Sequence, residues 1–289
     1  MQNQLKIASP WMQLAWALFF LGACLIFTAL LQGGILAVSP LWAHSLNGQK
    51  VIQALSSIGV FLLPAYLYAW ISFRGHSFSR LGFRPSELPI FYLLAIVLLF
   101  CSFPLEGWMG QINSMVRMPQ WAVEAQNRAN DEIAVFLKTK SFFDILVNLL
   151  VMAALPAICE EAYFRGALQR ILIQAFRSPW AGILVTAAFF SAFHMQFQGF
   201  LPRMFLGALL GAIYWYSGSL WASILAHFFT NGIQVIAVSY QPKFATENPN
   251  VPVYAALISL VIVVGLLYQL KKQSKTTYSK VYGEIDPTI

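Results

Sequence analysis

Long uncharged stretches alternate with short polar ones along the chain. Seven windows without Asp, Glu, Lys or Arg reach or approach the ~20 apolar residues that a helix needs to cross a bilayer core. They are residues 11–36, 51–73, 88–105, 145–159, 178–202, 204–242 and 251–270. The 204–242 window is too long for one span, and the turn sequence Ser217-Gly218-Ser219 divides it. The pattern predicts an all-α polytopic transmembrane helix bundle of about eight spans.

Composition supports a membrane protein with lipids as its main partners. The 289 residues are 58% hydrophobic and 10% charged, with a mean hydropathy of +0.65. A soluble domain carries about 25% charged residues, so this chain has too few charges to cover a surface that faces water. The net charge of +7 comes from basic residues between apolar runs. That placement fits anionic lipid headgroups, and we expect no nucleic-acid partner.

The distribution of Lys and Arg predicts the orientation. Basic residues concentrate in 74–87, in 165–177 and after residue 270. With about eight spans, these regions and the N-terminus fall on one side, and the positive-inside rule assigns that side to the cytoplasm. We therefore expect a multi-pass protein of the plasma membrane with both termini cytoplasmic. A site near the turns at Ser178 and Gly218 is expected to open toward the same side.

The first candidate site element is Glu160-Glu161, followed by Arg165, in an apolar run. Ionisable residues inside membrane segments are costly and usually functional. Glu161 and Arg165 are four residues apart, so they share a helix face and can form an ion pair. Glu160 lies about 100° around the helix and can face a cavity. The alternative is a structural ion pair near the cytoplasmic surface, with Glu160 in headgroup water.

Two further polar elements are His194 in 178–202 and the pair His227 and Asn231. The pair shares a helix face, and an interhelical hydrogen-bonding role is the structural alternative. Glu160 lies 18 residues before Ser178, and His194 lies 16 residues after it. At 1.5 Å per residue these positions reach the same depth within ~3 Å. His227 lies ~14 Å beneath the next turn. The three elements are therefore expected to meet in one layer of the membrane.

These residues form three motifs, EExxxR, FxxxH and HxxxN. They stand in the chain as Glu160-Glu161 with Arg165, Phe190 with His194, and His227 with Asn231. With these motifs in order on apolar helices, the chain resembles the CAAX prenyl protease and bacteriocin-processing (CPBP, or Abi) family of intramembrane peptidases. These are similar to the type II CAAX prenyl endopeptidase. The resemblance covers roughly residues 145–235. It implies hydrolysis of a peptide bond in a membrane-associated or lipid-anchored polypeptide.

The resemblance, with the chemistry of these side chains, implies a role for each candidate catalytic residue. Glu160 would act as general base for water, oriented together with His194. His227 and Asn231 would donate hydrogen bonds to the developing oxyanion. Arg165 would hold Glu161. Two His and one Glu are also a plausible ligand set for Zn²⁺, although the chain lacks HExxH and no obligatory metal is expected.

The organisation expected from these motifs has three parts. Residues 1–140 hold N-terminal spans and a connecting segment, 141–240 the catalytic transmembrane core, and 241–289 the last transmembrane helix and a basic tail. In the connecting segment, 106–141, an amphipathic helix on the membrane surface and a lid over the site are both open interpretations. Ser141 and Asp144 resemble a capping box, and Pro156 predicts a kink in the helix that follows.

Two other functions fit parts of the pattern. A catalytically idle scaffold or immunity-type partner could keep the same fold, since fold does not determine function. A transporter could use Glu160 and His194 as a proton relay, but the chain shows no internal repeat. Cys159 is not expected to be a nucleophile, because it lies beside carboxylates with no cation to activate it. Gly207 and Gly211 form a GxxxG pair that predicts close helix packing.

Overall fold

The computed structural model describes residues 5–75, 77–137, 141–245 and 250–283. The structure is 84% helical and has no strands in this part of the chain, which confirms the predicted all-α class. Nine main helices follow each other along the chain. They are α1 (Pro10–Val38), α2 (Leu46–Ser72), α3 (Ile90–Ser114), α4 (Gln120–Phe136), α5 (Phe142–Phe176), α6 (Pro179–Phe193), α7 (Phe200–Ser217), α8 (Leu220–Tyr240) and α9 (Val253–Gln273).

The surface of the bundle is apolar and polar side chains lie inside it. Large hydrophobic residues on the outer helices are widely exposed, among them Leu30 on α1 and Val261 on α9. In contrast, Gln13 and Ser259 on the same helices are buried. This inside-out pattern suits a lipid environment, where exposed polar groups find no water. The chain is therefore an integral membrane protein.

Six of the described helices are long and apolar enough to cross a membrane, against the expected eight or so. They are α1, α2, α3, α5, α8 and α9. The difference lies in α6 and α7. Helix α6 has 15 residues, or ~22 Å of helix, which is shorter than a ~30 Å bilayer core. Helix α7 carries Pro202 and Arg203 in its first turn, which shortens its apolar length.

Helices α6 and α7 form a hairpin that begins and ends at the same end of the bundle. Its outer ends are the turns at Arg177 and Gly218, which both adopt left-handed backbone conformations with φ of 53° and 64°. Its tip, residues 194–199, lies one short helix length away from those turns. Because the hairpin returns to the end where it started, it does not alter the sides that the other helices face.

Glycines allow the hairpin to pack closely on itself and on α5. A Cβ at Gly207 would lie 3.2 Å from Cα of Ala187, and one at Gly211 would lie 3.0 Å from a methyl group of Ile183. These contacts confirm that the GxxxG pair serves close packing between helices. Gly182 of α6 is more restricted still, since its Cβ would lie 2.6 Å from the backbone nitrogen of Ile173 on α5.

Helix α5 is long and irregular, and its irregularities flank the candidate residues. Ser141 caps its first turn by accepting a hydrogen bond from the Asp144 amide at 3.1 Å, as the capping-box pattern predicted. Two segments, Leu149–Ala154 and Ala162–Gln169, have π-helical hydrogen bonding. The first ends just before Pro156, whose missing amide hydrogen is the physical reason for a break there. Such π segments are frequent at functional sites.

Helix α4 contacts the hairpin tip at its start, and the chain contacts α5 and α8 just after its end. At its start, the Trp121 ring meets the Phe197 ring of the tip edge to face at 5.5 Å. At its end, Leu137 is buried against Ala153 of α5 and Val235 of α8. Within the connecting segment, α4 is thus a helix across the end of the bundle where the hairpin tip lies.

Replacing Gly182 with Ala should destabilise the protein by about 1–3 kcal/mol, because the added methyl group overpacks the backbone of α5. Thermal unfolding in detergent measures the effect. Gly265→Ala on α9 is the matched control, since a Cβ there meets nothing within 4 Å. Equal unfolding temperatures for the two variants would contradict the described packing.

Candidate active site

Three helices bring the motif residues together. Helix α5 supplies both glutamates where one π-helical segment begins, α6 supplies Phe190 and the histidine that follows its last turn, and α8 supplies His227. The rings of His194 and His227 lie 5.0 Å and 5.8 Å from the Phe190 ring. The structure thus brings the side chains of His194 and His227 together around Phe190, as the sequence predicted.

Glu161 is the centre of the cluster. Arg165 donates from Nη1 to Glu161 Oε1 at 2.7 Å, and both side chains are fully buried. This is the ion pair that the four-residue spacing predicted. His227 donates from Nδ1 to the same carboxylate oxygen at 2.9 Å. One glutamate therefore joins its own helix to α8.

Arg165 also ties α5 to the hairpin. Its Nη2 donates to the carbonyl oxygen of Gly207 at 3.1 Å, and its guanidinium lies 4.6 Å from the centre of the Phe190 ring. One turn further along both helices, Gln169 donates to the carbonyl oxygen of Gly211 at 3.0 Å. Because glycine has no side chain, these carbonyl groups can be reached from α5. The GxxxG pair thus exposes backbone acceptors as well as permitting close approach.

Glu160 faces the other nitrogen of His227. Its Oε2 lies 3.9 Å from Nε2 of His227, which is beyond direct hydrogen-bond reach and fits one bridging water molecule. Since Nδ1 of His227 is bonded to Glu161, the ring orientation is set and Nε2 is directed to Glu160. Glu160 makes no ion pair within 4.0 Å to Lys or Arg in the described part of the chain. It is the carboxylate that is left available for chemistry.

His194 lies at the end of α6, on the hairpin tip. Its Nδ1 donates to the carbonyl oxygen of Phe190 at 2.8 Å. That bond determines the tautomer of the neutral ring and leaves Nε2 as a hydrogen-bond acceptor. His194 is only partly buried, whereas His227 is buried.

Asn231 lies on α8 one turn after His227 and is partly buried. Within the described residues it makes no hydrogen bond to the other members of the site. Its predicted role at an oxyanion is therefore not visible in the contacts of the protein alone, and it stays a prediction.

The pattern of the sequence missed Arg203. Arg203 separates two uncharged windows and was not among the candidate residues, but it lies in the first turn of α7, level with Glu161 in the parallel register of α5 and α7. Its Nη1 and Nη2 donate to the backbone oxygen and to Oε1 of Gln196, at 3.2 Å and 2.7 Å. The available signal was its spacing, since residue 203 lies four residues before Gly207 and shares its helix face.

The predicted zinc alternative requires three ligands around one point. Among residues 5–75, 77–137, 141–245 and 250–283, no three His, Cys, Asp or Glu side chains are grouped closely enough to hold a metal ion. The separation of 3.9 Å between Glu160 and His227 also exceeds the ~3.3 Å expected between two ligand atoms about 2 Å from a tetrahedral zinc. These side chains therefore do not fit a zinc site as they stand, and zinc has no part in the reaction proposed for them.

Comparison with known proteins locates the similarity in this region. Residues 142–233 match the family described as Type II CAAX prenyl endopeptidase Rce1-like. The chain is also 34% identical over 96 residues to an uncharacterised 24.3 kDa protein of Escherichia coli. That similarity covers 30% of this chain and 42% of the Escherichia coli protein. No solved structure matches the chain.

Arg165→Ala should lower stability by about 3–5 kcal/mol, because it leaves the Glu161 carboxylate buried without its cation. Thermal unfolding of the purified protein in detergent measures this loss. The double variant Glu161→Gln with Arg165→Met removes both charges and should recover a large part of it. A single variant as stable as the wild type would show that the ion pair does not hold the site together.

Proposed function

We propose, from the match of residues 142–233 to the Rce1-like family of CAAX-type proteases, that this chain belongs to that family and is an intramembrane endopeptidase. It hydrolyses a peptide bond in a membrane-associated or lipid-anchored polypeptide. The observation that carries the proposal is the position of Glu160. This carboxylate faces Nε2 of His227 across 3.9 Å, while its buried neighbour Glu161 is ion-paired with Arg165 and bonded to Nδ1 of His227.

The two glutamates have different roles because their surroundings differ. Glu161 is paired with Arg165 and bonded to His227 through one oxygen, and it has no exposed surface through which a substrate could reach it. It orients the imidazole of His227 through Nδ1. Glu160 keeps its oxygens toward the gap and acts as general base. This division extends the predicted holding role of Arg165, since the guanidinium holds Glu161 and Glu161 in turn holds His227.

The proposed reaction is a direct hydrolysis. A water molecule between Glu160 and the imidazoles gives a proton to Glu160 as its oxygen forms a bond to the carbonyl carbon of the peptide. The tetrahedral intermediate then collapses, the carbon–nitrogen bond breaks, and Glu160 returns the proton to the departing amine nitrogen. The products are a carboxylic acid and an amine. Nε2 of His194 accepts a hydrogen bond from the same water.

Stabilisation of the oxyanion falls to groups that face the substrate. We assign the side-chain amide of Asn231 as one donor. His227 has a narrower part than the sequence suggested, because Nδ1 is bonded to Glu161 and only Nε2 can reach a substrate. An idle scaffold would need none of this arrangement, and nothing in the described contacts favours that alternative or a transporter.

We also propose that the substrate approaches from the end of the bundle where the hairpin tip lies. His194 lies on this tip and is partly exposed, and Glu160 keeps 9% of its surface exposed, whereas Glu161 and Arg165 have none. The tip points away from the turn at Ser178, so this route is opposite to the basic side that the sequence suggested. Helix α4 lies across this end and would border the path.

Glu160→Gln should reduce proteolysis by about 10²–10⁴-fold without unfolding the protein, because it removes the general base and retains the shape of the side chain. Membrane proteomics of cells with wild-type or variant protein would show one precursor that accumulates in the variant. Cys159→Ala, next to it on α5, is the control and should keep wild-type processing. Loss of processing in the Cys159 variant, or full processing by the Glu160 variant, would reject the assignment.

Access can be tested with single cysteines in a background where Cys24, Cys101 and Cys159 are replaced by Ala. We expect Ser178→Cys to react with a membrane-impermeant thiol reagent only from the cytoplasmic face. Met195→Cys, at an exposed position of the tip, should react only from the opposite face. Labelling of both positions from the same face would overturn the proposed route.

A further inference from the structure

Arg203 is a half-buried cation beside the hairpin tip that has no direct carboxylate partner among the described residues. In the described part of the chain no Asp or Glu oxygen lies within 4.0 Å of it, whereas Arg165 is only 2.7 Å from its own glutamate. Arginine at membrane depth is expensive and normally pairs with an acid or serves a function. The charge of this guanidinium is therefore not matched by direct contact with a carboxylate.

The guanidinium is nevertheless held firmly in place. Gln196 accepts hydrogen bonds from both terminal nitrogens, through its backbone oxygen and its side-chain oxygen. Gly199 makes room for the group, because a Cβ there would lie 3.0 Å from Nη2. A guanidinium has five N–H donors, so these two bonds leave three for another acceptor. The residues of the hairpin tip thus build a cradle that orients Arg203 without neutralising it.

The cradle lies beside the reacting groups. The bonds from Arg165 to Gly207 and from Gln169 to Gly211 place α5 and α7 side by side in parallel register, so Arg203 lies level with Glu161. Along α7, Arg203 stands one turn, or ~6 Å, before Gly207, whose carbonyl oxygen binds Arg165. A peptide whose scissile bond lies at Glu160 therefore has a neighbouring part within reach of this guanidinium.

We propose that Arg203 is a specificity-determining residue that binds a carboxylate of the peptide substrate near the scissile bond. The inference rests on the proposed peptidase function and adds the chemistry of the preferred substrate to it. Planar guanidinium groups bind carboxylates through two parallel hydrogen bonds. The carboxylate can belong to the C-terminus of the peptide or to an acidic side chain.

The experiment uses full-length protein in liposomes and three lipid-anchored peptides of one sequence. One ends in a free carboxylate, one ends in an amide and has no acidic residue, and one ends in an amide but contains an Asp. The wild type should cleave at least one carboxylate peptide about tenfold or more better than the neutral peptide, in kcat/KM. The preferred peptide identifies the source of the carboxylate.

Arg203→Gln should abolish that preference, because it raises KM about tenfold more for the carboxylate peptide than for the neutral peptide. Arg203→Lys keeps the charge but not the paired hydrogen bonds, and should retain a smaller preference. Gly199→Ala keeps the arginine but crowds its Nη2, and should weaken the preference too. Lys272→Gln, in the last turn of α9, is a control that should change nothing.

Binding separates a failure of this proposal from a failure of the proposed function. Fluorescence anisotropy with the Glu160→Gln protein measures affinity for the same peptides without cleavage. Absence of cleavage together with a carboxylate preference that depends on Arg203 would reject the peptidase function and keep the binding role. If protein that retains Arg203 binds or cleaves all three peptides equally, the proposal is overturned. So would an equal loss for carboxylate and neutral peptides in Arg203→Gln, since Arg203 would then act through Glu160.

Discussion

The buried ion pair between Glu161 and Arg165 is the interaction on which the centre of this protein depends. Two charges in a membrane interior are tolerated only when each has a partner and further hydrogen bonds. Here the carboxylate also accepts from His227, and the guanidinium also donates to the carbonyl of Gly207. The pair therefore joins α5 to α8 on one side and to the hairpin on the other. Each of these contacts helps to offset the cost of burying the charges.

The need to supply hydrogen-bond partners to buried polar side chains explains why glycines lie beside them in the core. Arg165 and Gln169 can reach backbone carbonyls on α7 only where Gly207 and Gly211 bring no side chain between the helices. The same glycines bring α7 close to Ala187 and Ile183 of α6. Helix packing and the electrostatics of the site are thus two results of one arrangement. A larger residue at these positions would disturb both.

The short hairpin accounts for the depth of the candidate site. Because α6 is only 15 residues long, its last residues end inside the layer, at the level of the glutamates on α5. Irregular backbone is tolerated at that depth only where protein or a polar site surrounds it. Asn113 of α3 satisfies part of it by donating to the carbonyl of Phe197 and accepting from the amide of Leu201. The tip that carries His194 is held by these bonds.

Much of the architecture was predictable because it follows from local rules. Apolar run lengths predicted the helices, the four-residue spacing predicted the pair of Glu161 with Arg165, and helical rise predicted that Glu160 and His194 share a depth. Each of these depends only on distances along one helix or down a hairpin. The family resemblance was likewise carried by short motifs, and the family match at residues 142–233 agrees with it.

Tertiary structure decided what local rules cannot express. Whether α6 and α7 cross the membrane depends on how they pack, which the length of an apolar run does not state. Nδ1 of His227 binds Glu161 and Nε2 faces Glu160 because of the rotation of α8 relative to α5. Arg203 lies beside the site because α7 packs against α5, although in the sequence it stands between two uncharged windows. A sequence states the spacing within each helix, but the rotation and approach of separate helices arise only when their side chains pack together.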